Sequence, residues 1–169
     1  MKHDPNSIHT AHGWQGQYAR VRRWYARVEL VASARAHQGD ALADQDFIYA
    51  FFQNCHYLRE WLLRFSAVPK AELDAFWNTS LELQLCRDIC NSTKHVDVSQ
   101  PSQSPFVSFF REYDHFHVPS PGEGPHAMVQ MNVRVGETKL DVFELAGRCM
   151  HQWDEFLRKR GLLNGESSV

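Results

Sequence analysis

The sequence predicts a mainly α protein: an up-and-down bundle of about four main helices, with a small antiparallel β-hairpin or sheet inserted before the last helix. Three observations predict it. Long stretches repeat apolar residues every three or four positions, the spacing that gathers them on one side of a helix. Residues 128–135 instead alternate apolar and polar side chains, the period of a strand. The runs SQPSQSP and PSPGEGP, made of turn-forming residues, separate this β region from the helices and divide it.

A chain of 169 residues fits one domain, spanning 1–169, and can bury a sizeable core. Its 43% hydrophobic and 22% charged content is that of an ordinary globular protein. A net charge of −2 gives no overall attraction to nucleic acid or anionic membrane and leaves room only for a local basic patch. No run approaches a bilayer span, and the opening MKHDPNSIHTAHGWQGQ lacks the apolar core of a signal peptide. The expectation is a cytoplasmic protein without a membrane partner.

Residues 1–14, polar and broken by Pro5 and Gly13, read as a flexible arm. Its histidines, His3, His9 and His12, read as part of a solvated tail rather than a chelate. From about 17 to 37, Tyr18, Val21, Tyr25, Val28 and Ala32 form the stripe of a first helix, widened by Trp24 and Val31. Arg20, Arg22, Arg23 and Arg27 make its other side basic, read as a solvated face. Gly39 ends that helix and Asp40 can cap the next.

The second helix spans residues 41–65 on a seam of Phe47, Phe51, Cys55, Leu58, Leu62 and Phe65. Asn54 sits at the edge of this seam. A polar group there needs a hydrogen-bond partner, either on a neighbouring helix or on the polar face of the helix at 79–96. His56 and Glu60, one turn apart, read as a solvent-facing pair rather than metal ligands. Pro69 starts a short helix over 69–77. Thr79 and Glu82 then form a T-x-x-E capping box that starts the third long helix at 79–96.

Residues 107–118, aromatic and β-branched, read as a strand or extended segment. Residues 128–135 form the next strand, and Gly136-Glu137 fits a two-residue turn leading into 138–140. The last helix, about 142–160, buries Val142, Leu145, Ala146, Cys149, Trp153, Phe156 and Leu157. Asp141 and Glu144 are its capping candidates, Gly161 its stop, and 164–169 a tail.

The four cysteines, Cys55, Cys86, Cys90 and Cys149, fall at apolar or near-apolar helix positions and read as small hydrophobes. Cys86 and Cys90 are one turn apart and form no CxxC pair, so no metal site is read from them. His115 and His117 would share one side of a strand, but no spacing brings further ligands to them. Phosphate-loop, dinucleotide and nucleophile-elbow fingerprints are absent, and no cofactor is indicated.

The helix at 79–96 carries the chemistry. Leu81, Leu85, Cys86, Ile89, Cys90, Thr93 and Val96 form its apolar side. Arg87, Asp88, Asn91, Lys94 and His95 form the other, with Arg87, Asn91 and His95 aligned at successive turns. His95 is a general acid/base candidate and Arg87 a stabiliser of anionic charge. Asn91 can orient either the substrate or the imidazole. Such a set could cleave RNA without metal, the histidine moving a proton and the arginine steadying the phosphorane-like charge. An ordinary exposed helix face carries the same residue types.

The segments FFQNCHYLREWLL and LCRDICNSTKH, on successive helices, resemble the HEPN superfamily of helical, nucleotide-binding and ribonuclease-related proteins. The resemblance covers roughly residues 41–96 and, more loosely, the closing helix. It implies Arg87-Asp88 and His95 as the counterpart of the family's Arg…His motif, with Arg87 and His95 catalytic. Asp88, Asn91, Lys94 and Asn54 would bind substrate. Seven residues separate Arg87 from His95, a longer gap than the motif usually has. Arg111 and His117 lie in the expected strand and are not read as that motif. The resemblance further implies a homodimer in which two copies of this helix meet and form a composite cleft, and RNA or a nucleotide as ligand. The alternative is a non-catalytic interaction or structural module of the same fold, its face meeting a protein partner. Its sign would be Arg87 and Asp88 engaged in ion pairs within the chain.

Overall fold

The computed structural model describes residues 11–33, 41–93, 106–114 and 128–163. Two long helices, α1 (Gly13–Ser33) and α2 (Ala41–Phe65), lie antiparallel. Gln17 meets Asn54, Trp24 packs on Phe47 and Tyr25 packs on Phe51, so contacts rising along α1 descend along α2. The helix at 13–33 begins earlier than the sequence suggests. Gly13 and Trp14, assigned above to a flexible arm, belong to α1, and Trp14 is buried. An indole is large enough to anchor the first turn despite its polar neighbours.

The short helix α3 (Lys70–Thr79) leads into α4 (Leu81–Ser92) through the single residue Ser80. Ser80, not Thr79, caps α4: its side chain accepts from the Leu83 amide at 3.2 Å. Thr79 still belongs to α3, and its hydroxyl donates back to the Ala75 and Phe76 carbonyls. Glu82 completes the polar cap, as the Ser80 hydroxyl donates to its carboxylate at 3.2 Å. The capping residues are therefore displaced by one position. Leu81, expected on the apolar side, is consequently the first residue of α4 and is 46% exposed.

Strands β1 (Phe106–Asp114), β2 (Met128–Val135) and β3 (Thr138–Asp141) form an antiparallel sheet in that order. The β2–β3 turn is Gly136-Glu137, with Gly136 at φ +60°, a conformation glycine adopts without penalty. Asp141 ends β3 and also caps α5 (Val142–Lys159), accepting from the amides of Phe143 at 2.8 Å and Glu144 at 3.1 Å. The expected stop follows. Gly161 (φ +63°) donates to the Arg158 carbonyl and Leu162 to the Leu157 carbonyl, both at 2.9 Å, a Schellman closure.

Helix α5 packs antiparallel to α1, where the Tyr18 hydroxyl donates to Asp154 at 2.5 Å. Burial and the Asp154 carboxylate push the Tyr18 hydroxyl well above its ordinary range, which keeps it a donor. Helix α3 fits between α2 and α5. Phe76 stacks on Phe156 at 4.3 Å, Trp77 contacts His56 and Trp153, Asp74 pairs with Arg59 of α2, and Glu72 pairs with Arg160 beyond α5. Trp153, Phe51, Phe52, Leu58, Leu83 and Ile89 lie at the centre of the core. No helix among the described residues is long and apolar enough to cross a membrane.

Candidate functional site

Helix α4 is short and mostly inside. Leu83, Leu85, Cys86, Asp88, Ile89 and Cys90 are buried; of the rest, Leu81, Gln84, Arg87 and Asn91 form a narrow outer stripe, with Glu82 and Ser92 partly exposed beside it. Arg87 and Asn91 share that stripe, as their spacing predicts. Asp88 does not. Expected beside Arg87 on the solvent face, its side chain is 0% exposed. The reason lies in helix geometry: Asp88 follows Leu85 by three residues and adjoins Ile89, so it falls just past the edge of the solvent arc.

Arg87 keeps 37% of its side chain exposed while its Nε atom is buried, 3.8 Å from an Asp88 carboxylate oxygen. The buried carboxylate thus lies within ion-pair range of the inner end of a side chain whose surface is partly open, without a hydrogen bond to Nε. Lys94 and His95 lie outside the described residues, as do His115 and His117.

Asn54 has been drawn elsewhere. Its amide donates to the Ala50 carbonyl at 2.7 Å, and both its side-chain and backbone oxygens accept from Gln17, at 3.2 and 2.9 Å. Gln17 is 2% exposed, and its own oxygen accepts from Arg20. Asn54 therefore joins α2 to α1, the register role considered for it, and is not gathered with Arg87. The contact between α2 and the end of α4 is made by its neighbour, Gln53, which donates to Thr93 at 2.9 Å.

A second cluster lies inside the core. All four cysteines are free and buried, in agreement with their reading as apolar positions. Three of them, Cys55 of α2, Cys86 of α4 and Cys149 of α5, bring their sulfur atoms within 4.8 Å of one another. The Cys86 thiol donates to the Phe52 carbonyl and the Cys149 thiol to the Glu82 carbonyl, each at 3.3 Å. Burial pushes the thiols up. Hydrogen bonds shared within the cluster bring Cys55 down and leave Cys86 and Cys149 raised. The Trp153 indole nitrogen, buried without an oxygen or nitrogen partner, lies beside Cys55. Sequence spacing could not reveal this group because its members come from three distant helices. The available signal was only that each cysteine sits on the buried stripe of its own helix.

Glu82, Glu144, Gly147, Arg148, His151 and Gln152 line an open groove of about 520 Å³ along α4 and α5. Arg148 pairs with Glu144 there, and His151 with Glu155. No protein-family model, curated protein or solved structure matches this chain.

Proposed function

We propose that this chain binds an RNA or nucleotide phosphate through Arg87 and Asn91 on the outer stripe of α4, with Lys94 and His95 following in sequence, as a HEPN-like module. One observation carries the reading: Arg87 is a partly exposed arginine whose inner nitrogen is buried beside a carboxylate. A guanidinium held at one end loses less freedom on meeting a phosphate, and its planar fork matches phosphate oxygens. Asp88 acts here by holding Arg87 rather than by touching the ligand. Asn91, one turn on, offers a neutral donor. In this reading His95 supplies acid/base chemistry if cleavage occurs, and a second copy of the chain brings a second Arg87 to a shared cleft.

The alternative, a non-catalytic interaction module, has its own support, because Arg87 and Asp88 form an ion pair within the chain. Purified protein incubated with mixed RNA in chelator, beside Arg87→Ala and His95→Ala, separates the two. Salt-sensitive RNA binding that weakens about tenfold in Arg87→Ala, the effect of losing roughly 1–2 kcal/mol of charged hydrogen bonding, supports the proposal. Metal-independent cleavage abolished in both variants extends it to a ribonuclease. Wild-type protein that neither binds nor cleaves overturns it and leaves the interaction module. Sedimentation of the same samples tests the homodimer.

A further inference from the structure

The cysteine cluster goes beyond both the folding role assigned to cysteine and the phosphate-binding reading. Cys55, Cys86 and Cys149 each have 0% exposure, and their sulfur atoms lie within 4.8 Å of one another. Core packing alone asks only for small apolar volume at each position, which alanine or valine also supplies. It gives no reason for three sulfurs from three helices to converge. Cys90, buried one turn further along α4, lies outside the group and shows that a cysteine in this core need not join it.

We propose that these three sulfurs form a binding site for a soft, thiophilic metal ion, Cu(I). Thiolate sulfur selects soft ions, and a site with three sulfur donors suits an ion content with low coordination better than zinc, which favours four ligands. The dimensions fit. A metal–sulfur bond of about 2.3 Å places three trigonal sulfurs about 4 Å apart, so each has to move inward by no more than about half an ångström. Small rotations about the cysteine side-chain bonds supply that.

The surroundings fit too. Cys86 and Cys149 bond to backbone carbonyls that already lie within helices α2 and α4, so those carbonyls keep their helical hydrogen bonds when the thiol protons leave. The indole N–H of Trp153 is buried beside Cys55 and without an oxygen or nitrogen acceptor, placed to donate to a metal-bound sulfur. Glu82 accepts from Cys149 through its carbonyl and also lines the open groove, so a single residue separates the Cys149 thiol from that surface. Counted from three neutral thiols, binding one Cu(I) releases two protons to solvent. Two thiolates and one thiol then hold the ion, leaving a single negative charge spread over sulfur.

The test is an anaerobic titration of the reduced full chain with Cu(I) against a competing Cu(I) chelator, with Zn(II) in parallel. The expected result is one Cu(I) per chain retained against the chelator, a raised Tm, and an X-ray absorption spectrum with three sulfur neighbours and no nitrogen or oxygen. Cys55→Ala, Cys86→Ala and Cys149→Ala should each lower Cu(I) affinity at least a hundredfold, while Cys90→Ala keeps wild-type affinity. Circular dichroism identifies any variant that does not fold, and the wild-type absorption spectrum decides the question without variants. Substoichiometric copper, oxygen or nitrogen ligands, tighter retention of Zn(II), or equal loss in Cys90→Ala would overturn the proposal.

Discussion

A carboxylate with no solvent exposure keeps its place only where neighbouring groups offset its lost hydration. Asp88 is in that position, with Arg87 beside it, whereas Glu144 and Arg148 form a pair in which both side chains stay largely exposed. The two should answer mutation differently. Asp88→Ala is expected to destabilise the fold by about 1–3 kcal/mol, because the buried Arg87 Nε, which already lacks a hydrogen bond, then also loses the carboxylate 3.8 Å away. Glu144→Ala is expected to cost less than about 1 kcal/mol, as exposed pairs do. Urea unfolding of both variants checks this, and equal losses would mean that burial of Asp88 is not what matters. Arg87 and Asn91 were legible from their spacing. Asp88 was not, because one helical position at the edge of the solvent arc separates an outward from an inward carboxylate, and only the packed neighbours decide it. Asn54 shows a similar limit: its need for a partner could be read, but the choice of Gln17 depended on how α1 docks.

Elements were read most accurately where local chemistry defines them. The limits of α2, the Gly136-Glu137 turn, the Asp141 cap and the Gly161 stop all rest on residues within a few positions of one another. The start of α4 was read one residue early because Thr79 and Ser80 both suit a cap, and the length of α3 made the choice. This assignment has a direct check. Ser80→Ala should cost about 1 kcal/mol through loss of the α4 cap, while Thr79→Ala should cost clearly less. Thermal unfolding of the pair would reverse that order if Thr79 were the true cap. The early start of α1 was missed for another reason: Trp14 is a lone apolar residue in a polar stretch, and its burial depends on tertiary contacts.

Across the molecule, α3 is held on both sides by charge as well as by aromatic rings. Hydrogen bonds from Lys70 and Arg59 hold the Asp74 carboxyl below its usual range. A depressed carboxyl contributes its stability above the ordinary value of about 3.9, and that contribution fades as pH falls through the depressed value. Stability measured by denaturant between pH 5 and pH 2, values on the order of the carboxylate range, should therefore fall less steeply in Asp74→Asn than in wild type. Identical slopes would remove Asp74 from the acid response. The class of fold could be read because periodicity and loops are local signals. The meeting of Cys55, Cys86 and Cys149 could not, since it exists only once α2, α4 and α5 are assembled.

The junction at Asp141 gives this assembly a mechanical character. The last residue of β3 is also the cap of α5, so no slack chain separates the sheet from the helix. A force that tilts the hairpin acts on α5 as on a lever, with Cys149 and Trp153 along its arm. Anything that grips the sheet would thus act on the first turn of α5 through a single shared residue, Asp141.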